Sequence, residues 1–544
     1  KAFLDLTNRM MRDPERLVES QIALWQDYMR LWQGMAVRMM GGEAAPVIEP
    51  DPGDKRFADR EWTENQLFDF IKQSYLLTAR WARELARGGD DDDADAARKA
   101  EFLVRQFVDA MSPSNFALTN PEVLRATVET RGENLVKGLE NLLRDLERGK
   151  GMIAVRQTDM EAFEVGRNVA TTPGKVIFRN DLIELIQYAP VTETVYARPL
   201  LIIPPWINKF YILDLKEKNS FVRWLVSQGY TVFMISWVNP DERYRDTRFD
   251  DYMLQGPIAA MNAVEQATGI RDINVVGYCV GGTLLAATLA WLTARGEAER
   301  VKSATFLVTK VDFADAGELR CFIDEDQLRM MERMMAEKGY LDAAAMAATF
   351  NSLRANDLVW SFVVNNYLLG RDPFPFDLLY WNSDSTRVPK ACHEFYLREM
   401  YLHNNLAKPG ALILEGVPID LSAIKTPVYI QAAETDHICP YDSVYKATQI
   451  YSGPRRFVLA GSGHIAGVVN PPAANKYHYW TNEALPPTAA EWREGATKHP
   501  GSWWPDWHRW QAKRAGRKIP ARDPAAGGLA PLCDAPGAYV RIRS

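Results

Sequence analysis

Gly277-Tyr278-Cys279-Val280-Gly281 sets a cysteine between two glycines, directly after the apolar run 273–276 and directly before a stretch with helical spacing. A residue on such a strand-to-helix turn is presented to substrate, and side chains in place of the flanking glycines would strike neighbouring backbone. The helix N-terminus behind the turn favours a thiolate and, later, an oxyanion. Cys279 is accordingly the candidate nucleophile. In the chain order nucleophile, acid, histidine, Asp436 follows the apolar run 428–432, and His464 follows the run 457–460 in Gly461-Ser462-Gly463-His464. The chain has seven histidines, so one falling on that loop is the more telling of the two. Asp442 is the rival acid and His437 the rival base.

Cysteine in place of serine narrows the chemistry. A thiolate is nucleophilic at neutral pH once its pKa is lowered, and acyl exchange between two sulfurs is nearly thermoneutral, which points to a thioester such as an acyl-CoA. The oxyanion would be held by the backbone N–H of Val280 and by a second from the loop after 200–203, near Trp206 and Ile207, with Ile207 taken as the donor. Cys321, Cys392, Cys439 and Cys533 complete a set of five cysteines without C-x-x-C spacing. That argues against a disulfide framework and for a reducing, cytosolic compartment. The sequence calls for no metal and no cofactor.

These residues need a sheet to carry them. The runs 200–203, 231–236, 273–277, 305–309, 428–432 and 457–460 read as buried strands, with helical segments such as 221–228 and 283–294 between them. The pattern is that of an α/β protein, a mostly parallel central sheet with helices on both faces, as in the α/β-hydrolase fold. Val176-Ile177-Phe178 and the run 182–188 read as an antiparallel pair turning at Asn180-Asp181. An insertion at about 311–416, roughly a hundred residues, is too long for a plain loop. Its aromatics, among them Trp360, Tyr367, Trp381, Tyr396 and Tyr401, suit a small core of its own and a cap over the active site.

Residues 1–170 read as a helical domain, ahead of a catalytic domain at 171–544 that carries the insertion. Asp13-Pro14 caps a helix reaching Met40, on which Val18, Ile22, Trp25, Tyr28, Trp32, Met35 and Met39 form one stripe. The plainer reading packs that stripe against neighbouring helices; the sharper one leaves part of it for an apolar surface. Further helical spacing covers 62–85, 102–111 and 121–148, and the acidic run Asp90 to Asp95 reads as a solvated loop. A chain of 544 residues exceeds what one core supports. A net charge of -6 argues against nucleic-acid binding as its main business. No run of 18 apolar residues would span a membrane, and the first residues lack the succession of a signal peptide.

Pro204-Pro205-Trp206-Ile207-Asn208-Lys209-Phe210-Tyr211, Ser236-Trp237-Val238-Asn239-Pro240-Asp241, Gly277-Tyr278-Cys279-Val280-Gly281-Gly282-Thr283 and Asn356-Asp357-Leu358-Val359-Trp360 together resemble polyhydroxyalkanoate synthases. So do Pro375-Phe376-Asp377-Leu378-Leu379-Tyr380-Trp381-Asn382, Ser462-Gly463-His464-Ile465-Ala466-Gly467 and Gly501-Ser502-Trp503-Trp504-Pro505-Asp506-Trp507. The resemblance is dense over about 191–510. Tyr278-Cys279-Val280, and an amino-terminal domain on the same chain, are similar to the class I enzymes, which act without a second subunit type.

The resemblance implies polymerisation of short-chain (R)-3-hydroxyacyl-CoA, such as 3-hydroxybutyryl-CoA, with release of CoA through an acyl-cysteine. Cys279, Asp436 and His464 match the family's catalytic positions. It further implies a homodimer at the surface of cytoplasmic polyester granules, in contact with the growing polyester and with granule-associated proteins. Asn208, Asn239 and Arg398 are candidates for CoA contacts, with structural roles weighing more for each. Thr309-Lys310-Val311 departs from the small or apolar residues expected there. The alternative function is a cysteine-nucleophile thioesterase or hydrolase of the same fold, which elbow and triad alone do not separate from a polymerase. A non-catalytic granule-binding protein is a third reading, which the intact triad disfavours.

Overall fold

The structure is a computed structural model and describes residues 14–87, 94–149, 151 and 153–544. The Asp13 cap and the acidic run as far as Asp93 lie outside the described residues. The chain forms two compact units, one of Lys1–Asp159 with Ala348–Phe376, the other of Met160–Ala347 with Asp377–Ser544. The first unit thus takes in part of the insertion.

In the first unit the longer helices of the amino-terminal segment are α1 (Pro14–Met39), α2 (Gln66–Arg87), α3 (Ala94–Ala110), α4 (Pro121–Glu129) and α5 (Glu133–Arg148). The stretch 121–148, which reads as one helix, is broken because Gly132 takes a φ of +86°, a conformation that glycine alone adopts without strain. The stripe on α1 divides. Tyr28 donates from its hydroxyl to the Ser74 carbonyl at 3.1 Å, and the Trp32 ring lies 4.9 Å from Phe70. Trp25 and Trp32 nevertheless stay 64% and 55% exposed.

α5 is built inside out. Asn134, Gly138, Asn141 and Asp145 recur at helical spacing on its buried face, while Val136, Leu139 and Leu143 are exposed. The polar face packs on the π-helical turn Val364–Leu368. Asn134 and Asn141 donate to the carbonyls of Leu368 at 2.8 Å and Asn366 at 3.0 Å. Asp145 accepts from Tyr367 at 2.7 Å and from Arg156 at 3.0 Å. A Cβ on Gly138 would stand 1.9 Å from the Tyr367 carbonyl oxygen, so the approach admits only glycine.

The second unit is built on an eleven-stranded sheet. In chain order the strands are β1 (Gly174–Arg179), β2 (Ile183–Tyr188), β3 (Leu200–Ile203), β4 (Val232–Trp237), β5 (Ile273–Tyr278) and β6 (Val301–Leu307). β7 (Val428–Ala433), β8 (Arg455–Ala460), β9 (His478–Thr481), β10 (Thr497–Pro500) and β11 (Cys533–Asp534) complete it. Across the sheet they lie in the order β10-β9-β8-β7-β6-β5-β3-β4-β2-β1-β11. β3 to β8 pair in parallel, and the outer strands are antiparallel.

The central strands read as mostly apolar runs because both faces are covered: Ile202, Val276, Phe306, Ile430 and Val458 are all buried. β6 starts four residues and ends two residues earlier than the run 305–309 suggests. Val308 takes a φ of +42° and turns the chain out of the sheet, which leaves Thr309 and Lys310 on the following loop. The fold is that of an α/β hydrolase. Among the described residues no helix is long and apolar enough to cross a membrane.

Candidate active site

β5 ends at Tyr278, and helix α6 (Val280–Ala294) begins after Cys279, which sits at φ 52°, ψ -123°. A non-glycine residue is strained there. The conformation is held from both sides. The Cys279 N–H donates to the Leu307 carbonyl at 2.9 Å, and the Cys279 carbonyl accepts from Gly282 at 2.9 Å and Thr283 at 3.1 Å. A Cβ on Gly277 would stand 2.5 Å from the Gly282 Cα, and one on Gly281 would stand 2.3 Å from the Ile203 carbonyl oxygen. Gly282 is as constrained, because its Cβ would meet the Thr309 hydroxyl at 2.0 Å. The glycines therefore let the first turn of α6 close onto β3 and onto the loop that begins at Pro204.

β7 and β8 deliver the other two side chains. His464 Nδ1 lies 2.7 Å from Asp436 Oδ2. The second oxygen of Asp436 accepts the backbone N–H groups of Ile438 at 2.8 Å and Cys439 at 2.9 Å. Both side chains are buried, and the Tyr278 ring stacks on the imidazole with centroids 5.9 Å apart. Burial opposes a charge on His464, but the Asp436 carboxylate and its hydrogen bond, with Cys439, more than reverse this and push its pKa up to about 10. The histidine loop is braced by the tryptophan motif, since Trp503 and Trp504 donate their indole N–H groups to the Gly467 and Val468 carbonyls, each at 2.8 Å.

Sulfur and nitrogen atoms of Cys279, Cys439 and His464 all lie within 4.8 Å of one another. Cys439 is the member of this group that the sequence does not single out. Its one signal in the sequence is a position three residues after Asp436, and buried cysteines are common without a role. Tyr396 and Tyr401 come from the insertion, with ring centroids 5.6 Å apart, and Tyr396 packs on Trp206 at 5.9 Å.

Lys310 is fully buried, and among the described residues no carboxylate lies within 4 Å of its amine. The amine instead donates to the Ala316 and Ile438 carbonyls at 3.2 and 3.1 Å and to the Tyr401 hydroxyl at 3.3 Å. It also lies 4.7 Å from the centre of the Tyr401 ring. Burial opposes its charge, yet Tyr401, Cys439 and Cys279 more than offset that and hold its pKa above the ordinary lysine value.

Val280 is the first residue of α6, where an N–H has no helical carbonyl to bond. Ile207 lies half-buried on the loop after β3. Asn208 is half-buried beside it. Asn239 spends its amide on the carboxyl-terminal segment and on backbone: it donates to the Ile542 carbonyl at 3.2 Å and the Ser544 hydroxyl at 3.0 Å, and accepts from Arg387 N–H at 3.0 Å. Arg398 is held by Glu325 at 3.1 Å and Glu332 at 2.8 Å. Asp442 is exposed at the start of a short helix, and it is Asp436 that meets His464.

The geometry suits attack by a thiol whose proton passes to an oriented imidazole, next to backbone donors for an oxyanion. Residues 53–225 match the family described as "Poly-beta-hydroxybutyrate polymerase (PhaC) N-terminus", and residues 199–471 match the "alpha/beta hydrolase fold". The poly(3-hydroxyalkanoate) polymerase of Methylorubrum extorquens is 53% identical over 98% of this chain and 88% of its own length. The poly(3-hydroxyalkanoate) polymerase subunit PhaC of Rhizobium meliloti (strain 1021) is 48% identical over 100% of this chain and 88% of its own. That of Cupriavidus necator is 46% identical over 98% and 89%. Identity of this extent, running through the helical unit and the sheet alike, shows that the chain belongs to the poly(3-hydroxyalkanoate) polymerases, acyltransferase-type polymerases on an α/β-hydrolase fold.

Proposed function

We propose that the chain polymerises short-chain (R)-3-hydroxyacyl-CoA, such as 3-hydroxybutyryl-CoA, through a covalent acyl-cysteine on Cys279. The observation that carries this reading is the placement of Cys279 on the elbow together with the 2.7 Å bond between His464 and Asp436. The Cys279 sulfur attacks the thioester carbonyl, and its proton is held on His464. The resulting oxyanion is met by the Val280 and Ile207 N–H groups. As the tetrahedral intermediate collapses, the carbon–sulfur bond to CoA breaks and the leaving sulfur takes the proton from His464.

In the second half, His464 accepts the proton of an incoming 3-hydroxyl. That oxygen attacks the acyl-cysteine, an ester forms and the Cys279 thiolate is released. Asp436 orients the ring and stabilises its charged form. A proton retained by His464 up to about pH 10 suits a thiolate–imidazolium pair at neutral pH.

The helical region to about residue 170 holds the enzyme at the granule surface in the cytoplasm and in a homodimer, and the exposed indoles of α1 support that assignment. The insertion acts as a moving cap over the site. Asn208 is retained as a candidate CoA contact. The bonds of Asn239 and Arg398 within the chain support structural roles for those two.

The reaction is tested by supplying 3-hydroxybutyryl-CoA. Release of CoA with growing turbidity supports a polymerase, and release without turbidity would support the thioesterase alternative. A substrate lacking the 3-hydroxyl should arrest the enzyme with the acyl group on the peptide containing Cys279, read by mass spectrometry. An acyl group found elsewhere would overturn the nucleophile.

A further inference from the structure

The acyl-transfer reading uses one sulfur, yet the site contains two. Cys439 is 3% exposed, and its backbone N–H is tied to Asp436 at 2.9 Å. With Nδ1 of His464 committed to Asp436, Nε2 is the nitrogen available beside the two sulfurs, and the three donor atoms lie within 4.8 Å of one another. We propose that Cys279, Cys439 and His464 form a binding site for a thiophilic divalent cation of the Zn2+ class, inhibitory and not a cofactor. The inhibition rests on the proposed role of Cys279; the binding does not.

Two sulfurs and an imidazole are a donor set that prefers zinc, cadmium or cobalt over magnesium or calcium. Zinc bonds of about 2.3 Å to sulfur and about 2.0 Å to nitrogen put neighbouring donors of a tetrahedron roughly 3.5–3.8 Å apart. The site therefore has to contract by about 1.3 Å at most. The outer sphere is in place, because zinc-bound histidines characteristically carry a carboxylate on the far ring nitrogen, and Asp436 occupies that position. The same carboxylate fixes the loop that carries Cys439.

Charge also closes. With the cation bound, both sulfurs are thiolates and the His464 imidazole has given up its proton, so two thiolates and Asp436 supply three negative charges against two on the cation and one on the buried Lys310. Cys279 is half-buried, so solvent reaches the site on that side. A bound cation withdraws the lone pair with which Cys279 would attack and the nitrogen that would hold its proton.

The full-length, chelator-treated protein is titrated with Co2+ in the absence of substrate and followed by absorption. One equivalent should produce sulfur-to-cobalt charge-transfer bands and the intense visible bands of a tetrahedral ion. Cys439→Val should lose roughly half of the sulfur band and bind at least about tenfold more weakly, with Cys439→Ser as the second variant if the first unfolds. Zn2+ should inhibit polymerisation by the wild type reversibly, and each variant should need at least about tenfold more Zn2+ relative to its own zinc-free rate. No uptake by the wild type, or variants whose spectrum and affinity match it, would overturn the site. Polymerisation by Cys279→Ala is a separate result: it would overturn the nucleophile, while cobalt uptake still decides the site.

Discussion

Lys310 reaches from the loop after β6 to the carbonyl oxygen of Ile438 at 3.1 Å, two residues beyond Asp436. One buried ammonium thus ties the loop of the acid to the strand beside the elbow. With Asp436 ionised and His464 protonated the pair is neutral, so a thiolate at Cys279 has Lys310 as its nearby compensating charge. Lys310→Met should lower the rate profile for alkylation of Cys279 by iodoacetamide several-fold, because the sulfur loses its nearby positive charge. An unchanged profile would remove Lys310 from the electrostatics of the site and leave it a structural clamp.

Cys279→Ala should abolish release of CoA. Cys279→Ser should retain a trace at most, because a serine hydroxyl forms no comparable anion at neutral pH. The check is CoA release with a thiol reagent after the protein is desalted, and substantial polymer from the alanine variant would refute the assignment.

Asp436→Asn should slow acylation and elongation alike, by roughly a thousandfold or more, if the carboxylate orients and charges the imidazole. Single-turnover acylation and steady-state elongation, measured separately, decide this. A loss confined to elongation would instead place Asp436 on the incoming hydroxyl.

His464 also predicts a pH dependence of stability. Its pKa is raised in the folded chain from 6.5 to about 10, so the folded state holds the proton more tightly than the unfolded one. The resulting stabilisation is complete below about 6.5 and is lost as pH rises through about 10. His393 acts in the opposite direction, because burial lowers it from 6.5 to about 4. Its contribution is present above 6.5 and lost as pH falls towards 4. Urea midpoints of wild type and His464→Gln should converge as pH rises across the first window, and those of His393→Phe should fall less steeply in acid.

In α5, Asn141→Leu should destabilise the helical unit by about 1–3 kcal/mol, because it strands the Asn366 carbonyl. Leu139→Gln should stay within about 0.5 kcal/mol, while lowering adsorption to a polyester film if this unit attaches to granules. Denaturant midpoints and film binding read the two effects apart.

Much of the site is legible because its constraints are local. Gly277, Cys279 and Gly281 state the turn, and Asp436 and His464 each follow a short, mostly apolar run of strand length. Cys439 is not legible, since its meaning depends on a loop folding back under Asp436. The outer strands β9, β10 and β11 escape notice because short antiparallel strands carry little apolar signal. For α5 the spacing correctly gives an amphipathic helix, but periodicity cannot say which face turns inward. The neighbour decides, and here it offers Asn366 and Leu368 carbonyls.

That reversal gives α5 an inverted grammar of replacement. Along an ordinary surface helix, inward positions accept one hydrocarbon for another and outward ones drift among polar residues. Here the inward positions Asn134, Asn141 and Asp145 each answer a particular donor or acceptor, so even a conservative hydrocarbon there is a lesion. Gly138 tolerates nothing at all. Leu139 and Leu143 face outward and are free, as far as folding is concerned, to become almost anything. A scheme that scores variants of this chain by burying oil and exposing charge would therefore rank substitutions along α5 in the wrong order.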